Sequence, residues 1–348
     1  YNSYNFAGAV SGGAFAEALS PRLAEALLWA LERLAPTYLL RPTDEVLGCQ
    51  VVSLWAADTA AGGVLLARCV ESAALRLLCW AGESPLALQA ARLLRTLARQ
   101  PYCAAGLQQQ PAWSRVLGAH APGSRALAHV PPKAQRALVE ALACAGGAMP
   151  GAVAAAGYLH ELCAVLSGRF DEVRAAMTGT RGAAMLPAVQ TLVVSLSQSA
   201  RGLSRAVGRL AWSADVPSEA RIDLQRTLLG FSAHLAAELA VGLLPAYAST
   251  PPVVTALLRV LADCARAHAL EGALSAAPLG ALCSTCHTSA SLYMRNYGPA
   301  TQGTRQTLEE EARCAQLLAL LRAHEHLAVA LFDAMTAAAE AGVLPPAG

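Results

Sequence analysis

The hydrophobic positions recur three and four residues apart along most of the chain. Leu23, Leu27, Leu31 and Leu34 form one such row, with Arg22, Glu25, Glu32 and Arg33 between them. Leu86, Leu93, Leu94 and Leu97 repeat the design, as do Leu257, Val260, Leu261 and Cys264, and again Leu317, Leu321, Leu327 and Leu331. Rows at this spacing lie along one side of an α-helix, so each predicts a helix with an apolar stripe and a thin polar face. No stretch alternates apolar and polar residues in the period of two that a half-buried strand requires.

A start signal recurs with these rows. Ser20-Pro21, Ser84-Pro85 and Thr250-Pro251 each place a small polar residue before proline and an apolar row after it. Ser or Thr caps free N–H groups, and proline's fixed φ suits the first helical position. Looser versions stand at Pro111, Pro132, Pro187, Ser218 and Pro278. Together these marks predict at least nine helices of roughly 15–25 residues. Connections rich in Gly, Pro and Ser fall at 80–84 and 248–252, and the longest irregular stretches at 36–60, 118–131 and 295–306. Residues 1–19 read as an irregular N-terminal segment. Residues 20–348 read as helical repeats with no internal boundary, because composition does not change along them. Helix after helix with short turns predicts an all-α protein, an α-α superhelix of the HEAT or armadillo type.

Composition agrees with a helical fold. Alanine and leucine, both strong helix formers, supply more than a third of the 348 residues, and Ile222 is the only isoleucine. A formal charge of +2 is too small for a nucleic-acid groove or a polybasic membrane patch, so no nucleic-acid partner is expected. The basic residues are 25 Arg and the single Lys133, a bias that reads as a GC-rich coding sequence. Mean hydropathy is +0.39, raised largely by alanine. Of the charge-free runs, 239–258 holds Pro245, Pro251 and Pro252, and 272–294 holds two Cys, His287 and many Ser and Thr. Neither suits an uninterrupted membrane helix, and no membrane insertion is expected. The ten cysteines are scattered, with Cys69, Cys79, Cys144 and Cys264 in apolar helical rows, as free thiols in a reducing compartment would be. The chain starts with Tyr1 and carries no signal-peptide pattern over 1–19, so it reads as a fragment or a truncated gene product.

Few residues suggest chemistry. Cys283-Ser-Thr-Cys286-His287 matches the C-x-x-C-H haem-attachment pattern, but it sits within an apparent helix without an export signal or a second axial ligand. It reads as two packed thiols and a polar helix-face histidine, and no second cysteine pair completes a zinc site. His324-Glu325-His326 and His160-Glu161 lack the histidine spacing of a metalloprotease helix and read as solvated. No phosphate-binding lysine loop, dinucleotide-binding glycine motif or nucleophile elbow is present. The run Glu309-Glu310-Glu311 suits the first turn of a helix, where carboxylates meet the positive end of the dipole. No catalytic, cofactor-binding or metal residues are assigned, no cofactor is expected, and the chain is not expected to be an enzyme.

Several segments, taken in order, resemble a known family. They are Ala35-Pro-Thr-Tyr-Leu-Leu40 after a helix holding Trp29, then Leu77-Leu-Cys-Trp80, Ala91-Arg-Leu-Leu-Arg-Thr-Leu-Ala98, Trp113 and Gln135-Arg-Ala-Leu-Val-Glu-Ala-Leu142. They continue with Thr250-Pro-Pro-Val-Val-Thr-Ala-Leu-Leu-Arg-Val-Leu261, Tyr293-Met-Arg-Asn296, Glu309-Glu-Glu311 and Leu317-Leu-Ala-Leu-Leu321. Their order and spacing resemble the exportin-4 family of nuclear export receptors, in the importin-β (karyopherin) superfamily, over roughly residues 20–335 and most thinly over 145–215. The resemblance implies HEAT repeats that bind GTP-loaded Ran together with a protein cargo, in this branch small translation factors such as factor five A. It further implies passage along nucleoporins and shuttling between nucleus and cytoplasm, with the family's N-terminal repeats missing here. It assigns no Ran-contact or cargo-contact residues in this chain. A HEAT or armadillo scaffold outside transport is the alternative with the same fold.

Overall fold

A computed structural model describes residues 59–79, 84–121, 123–124, 126–178, 186–247, 249–271 and 308–340, with positions 26, 28–32, 45–46, 49–50, 284, 287–288, 291 and 342. The irregular segment expected over 1–19, and the helix starts expected at Ser20 and Pro278, lie outside these residues. Ten bounded α-helices follow one another among the described residues. They are α1 (Thr59–Cys79), α2 (Ser84–Ala98), α3 (Pro101–Leu107), α4 (Pro111–His120), α5 (Pro132–Gly146), α6 (Gly151–Thr178), α7 (Pro187–Ala206), α8 (Ser218–Leu243), α9 (Pro251–Glu271) and α10 (Leu308–Glu340). A 3-10 turn, Val207–Arg209, continues α7. The all-helical expectation holds apart from a minimal antiparallel pairing of β1 (Glu45–Val46) with β2 (Cys49–Gln50), Glu45 opposite Gln50.

Helix lengths run wider than the sequence pattern predicts, from 7 residues in α3 to 33 in α10. The short α3 and α4 arise because Pro101 and Pro111 each begin a new helix just after a polar break, Arg99-Gln100 and Gln108-Gln109-Gln110. The starts expected at Ser84, Pro111, Pro132, Pro187, Ser218 and Pro251 are all observed, and the helices that no Ser or Thr precedes begin without a side-chain cap. Gln100, Gln110, Pro131, Leu186 and Pro217 precede α3, α4, α5, α7 and α8, and none bonds a helix N–H through its side chain. Their backbone carbonyls take the first helical N–H instead, as in Ala104 N to Gln100 O at 2.8 Å and Arg221 N to Pro217 O at 3.0 Å. In α3, α4, α5 and α7 a proline within the first two positions removes one of the orphan donors outright and presets φ.

The helices cluster into two compact units, one comprising Tyr1–Ala155 with Leu210–Asp215, the other Ala156–Arg209 with Val216–Gly348. No composition change marks this division, which falls inside α6. In the first unit α1 packs on α2, α3 and α4, and α5 packs most extensively on α2. Residues Ala134–Ala145 of α5 are buried at all positions except Arg136, so this helix has almost no polar face. Full burial of Leu138 and Leu142 stabilises by about 1.5–3 kcal/mol each. Leu210–Asp215 returns against the end of α5, where Ala211 N bonds Cys144 O at 3.2 Å and Ser213 N bonds Gly147 O at 2.9 Å. A Cβ on Gly147 would stand 2.9 Å from the Ala211 carbonyl oxygen, so the close approach of two backbones requires glycine there.

In the second unit α9 packs on α7, α8 and, most extensively, α10. The expected stripes on α2 and α9 are buried as drawn: Leu86, Leu93, Leu94 and Leu97, and Leu257, Val260, Leu261 and Cys264. The stripe expected on α10 is met in part: Leu327 and Leu331 are buried and Leu317 is half-buried. Leu320, Ala323, Leu327, Ala330, Leu331, Ala334 and Ala338 are buried, whereas Leu321 is 44% exposed. The buried side thus mixes leucines with small alanines, and a second set of bulky apolar residues stands on the other side.

Candidate functional site

The residues that the sequence singles out for chemistry come to little. Cys283 and Cys286 lie outside the described residues, and His287 is a helical, exposed position. His160, Glu161 and His326 are exposed, and His324 Nδ1 stands 3.1 Å from Leu320 O of its own helix. Glu309–Glu311 fall in the first turn of α10, as expected. Among the described residues no three His, Cys, Asp or Glu side chains converge as metal ligands, and no helix is long and apolar enough to cross a membrane. Cys69, Cys103, Cys144, Cys163 and Cys264 are free thiols. Burial pushes Cys69, Cys103, Cys163 and Cys264 up to about 12, so they are neutral and poor nucleophiles.

The polar chemistry that the structure does assemble involves residues that sequence periodicity passed over. In the second unit, Arg201 and Arg205 lie one turn apart on α7 and meet Asp263 of α9. Arg201 Nε donates to Asp263 Oδ2 at 2.6 Å, while Arg205 donates through Nε (3.0 Å) to Oδ2 and through Nη2 (3.2 Å) to Oδ1. Arg266, one turn on from Asp263, brings Nη1 to 3.6 Å of Oδ1. Gln198 completes the Arg201 shell, accepting from Nη1 at 3.2 Å. Burial alone would raise the Asp263 pKa, but Arg201 and Arg205 outweigh it and hold the carboxyl below its usual range. Burial lowers the Arg201 pKa, with Asp263 opposing the shift. Three guanidiniums therefore share one carboxylate, and the cluster keeps a surplus of positive charge.

The first unit uses the same device. Arg95 in the last turn of α2 and Arg99, the residue just past its end, face the fully buried Glu140 of α5. Arg99 donates to Glu140 Oε1, Arg95 Nη1 lies 4.0 Å from Oε2, and Glu32 joins Arg95 at 3.8 Å. Gln89 donates to Glu32, one of the helical positions 28–32 that precede α1 in the chain. In both units two arginines spaced by four along the chain clamp a buried acid on the helix packed against them. The signal was present in the sequence as a lone acid inside an apolar row, Glu140 in Ala134–Gly146 and Asp263 in Val253–Ala267.

Below the Asp263 cluster, Ser204 Oγ and Ser232 Oγ approach to 2.5 Å, joining α7 to α8 in the interior. His268 of α9 is 3% exposed, and neither ring nitrogen has a hydrogen-bond partner. Burial lowers its pKa to about 4, so the ring is neutral at physiological pH.

Two hollows open beside this interior. A cleft of about 280 Å³ is lined by Ser204, Arg205, Arg209, Asp263 and Arg266. A shallower groove of about 440 Å³ runs between α9 and α10, lined by Arg266, Ala269, Phe332, Asp333, Thr336 and Glu340. Arg266 belongs to both. On α10 the exposed Leu318, Leu321, Val329, Phe332 and Met335 form a second apolar face, opposite in character to the alanine-rich face that packs on α9.

No protein-family model matches the chain, and no curated protein matches it in sequence.

Proposed function

We propose that the chain is a helical-repeat segment of α-α superhelix type that binds proteins without catalysing a reaction, and that it works within a nuclear export receptor. The observation that carries the repeat reading is the clamp found once in each unit, Arg95 and Arg99 on Glu140 and Arg201 and Arg205 on Asp263. Helices close in sequence supply the packing within each unit, as in an array whose repeats contact mainly their neighbours. The transport reading is supported by the ordered segments that resemble the exportin-4 family. Of these, Ala91–Ala98, Gln135–Leu142 and Val253–Leu261 lie on α2, α5 and α9 and contribute to their buried faces, and Trp113 is fully buried in α4.

In this reading GTP-loaded Ran and a cargo protein bind the same array, nucleoporins guide its passage, and the receptor shuttles between nucleus and cytoplasm. Each ligand biases one set of helix packings, so each raises the other's affinity by the same factor. The test is a pull-down from nuclear extract with the complete gene product immobilised, comparing GTP-locked with GDP-loaded Ran. A protein retained only with the GTP form is the expected result and names the cargo. Equal or absent Ran binding by the complete, folded gene product refutes export and leaves a scaffold outside transport.

A further inference from the structure

The arginine cleft and the α9–α10 groove differ in chemistry and share one side chain. Around the cleft, Asp263 is the only described carboxylate within 4.0 Å of Arg201, Arg205 and Arg266, so the cluster is under-neutralised. Arg201 is buried with its charge turned onto Asp263 and Gln198, whereas the side chains of Arg205 and Arg266 are 33% and 44% exposed and reach solvent at the cleft. Such forks match a carboxylate in shape as well as charge. Beyond Arg266 the surface becomes apolar, with Ala269 below and the Phe332 ring 72% exposed. Asp333 and Glu340 also line this groove and repel a second anion there.

We propose that these two hollows form one docking site for a short segment of a partner protein, in which an acidic side chain enters the arginine cleft and a neighbouring apolar side chain lies against Phe332. The proposal rests on the protein-binding reading above and names the chemistry of the segment bound. A free inorganic anion would use only the cleft and leave the apolar ring uncovered. A nucleic acid would present successive phosphates, and the second would meet Asp333 and Glu340. An acidic residue beside an apolar one satisfies both hollows at once. Fully covered aromatic and arginine side chains are also where binding energy concentrates.

The experiment is selection of a random dodecapeptide display library on the full chain, followed by fluorescence anisotropy of the enriched peptides. The expected peptides carry an acidic residue next to a large apolar one. Arg266→Ala and Phe332→Ser should each weaken them about tenfold or more, and Arg266→Lys by less. Both altered residues are solvent-facing, and an unchanged circular dichroism spectrum confirms that the variants fold. Affinity should also fall as salt rises. No enrichment, enrichment without the acidic–apolar pair, or binding indifferent to both variants overturns the proposal. So does binding of inorganic phosphate or polyuridylate that Arg266→Ala abolishes while no peptide binds. Success here with failure of the Ran test leaves the site standing and removes export; the reverse result removes the site alone.

Discussion

Replacing Asp263 by alanine tests the account of the buried clamp most directly. The carboxylate is shared by Arg201 at 2.6 Å, Arg205 at 3.0 Å and Arg266 at 3.6 Å, but the three cations do not depend on it equally. The Arg201 side chain is 7% exposed and cannot reach water without opening the α7–α9 contact. Left without its acid, it becomes an uncompensated buried charge, at a cost of about 3–5 kcal/mol. Arg205 and Arg266, partly exposed, can turn outward at about 1 kcal/mol or less each. Arg201→Met should cost less than Asp263→Ala, because Asp263 keeps two partners. Asp263→Leu combined with Arg201→Met removes both buried charges and fills the space, and should recover at least about 2 kcal/mol relative to the sum of Asp263→Leu and Arg201→Met made singly. Urea unfolding followed by circular dichroism at neutral pH measures all of these. Repeating it in about 0.5 M salt should leave the Arg201 coupling in place while shrinking that of Arg266. If the single costs add within about 0.5 kcal/mol, Arg201 and Asp263 are not coupled and the clamp is incidental.

Other expectations follow from single sites. His268→Leu should stabilise the protein by about 1–3 kcal/mol, because it removes a buried ring with two unpartnered nitrogens; a lower unfolding midpoint would refute this. The folded His268 pKa of about 4 lies below the unfolded value near 6.5. The unfolded chain therefore binds the extra proton first, and stability declines as pH falls from about 6.5, by up to about 3 kcal/mol at pH 4. The difference between wild type and His268→Leu over that window isolates the effect. For Asp263 the sign is the same but the window lies lower: its contribution is complete above the unfolded carboxylate value near 3.8 and is lost as pH falls below it. Gly147→Ala should destabilise by about 1–3 kcal/mol, since its Cβ meets a backbone carbonyl, and an unchanged midpoint would show that Leu210–Asp215 yields freely. Cys69, Cys103 and Cys264 should resist iodoacetamide in the native protein and react on unfolding, as site-resolved mass spectrometry would record; labelling of the folded chain would contradict their burial.

Much of the helical layout was readable before the coordinates, because apolar spacing and proline carry direct geometric meaning. Pro111, Pro132 and Pro187 mark real starts since a fixed φ and a missing N–H act locally, whatever surrounds them. The stripe on α2 was readable because Arg92, Arg95 and Arg99 set off its leucines. On α10 the same reasoning placed Leu327 and Leu331 in the core but not Leu321. Apolar residues occupy two sides of this helix, Leu320, Leu327 and Leu331 with alanines inside and Leu318, Leu321, Val329, Phe332 and Met335 outside, and a period of 3.6 does not say which side is covered. The clamps escaped notice for a related reason. Asp263 interrupts an apolar row by one residue, and only the placement of α7 against α9 reveals that Arg201 and Arg205 stand opposite it.

The two features missed by periodicity meet at one place, and this gives the second unit its asymmetry. A charge inside an apolar row is costly unless the packing helix answers it. Here α7 answers Asp263 with Arg201 and Arg205, and α9 itself adds Arg266. The excess is resolved only toward the open side, where Arg205 and Arg266 reach solvent and the Phe332 face of α10 begins. In the first unit Glu140 is fully buried and Glu32 adds a second acid, so Arg95 and Arg99 meet two carboxylates and little charge is left over. The same clamp is therefore closed in one unit and open in the other. An arginine pair balanced by acids serves packing alone, whereas three arginines on one acid beside an uncovered aromatic ring leave valence for a partner, which is why the second unit is where binding should be sought.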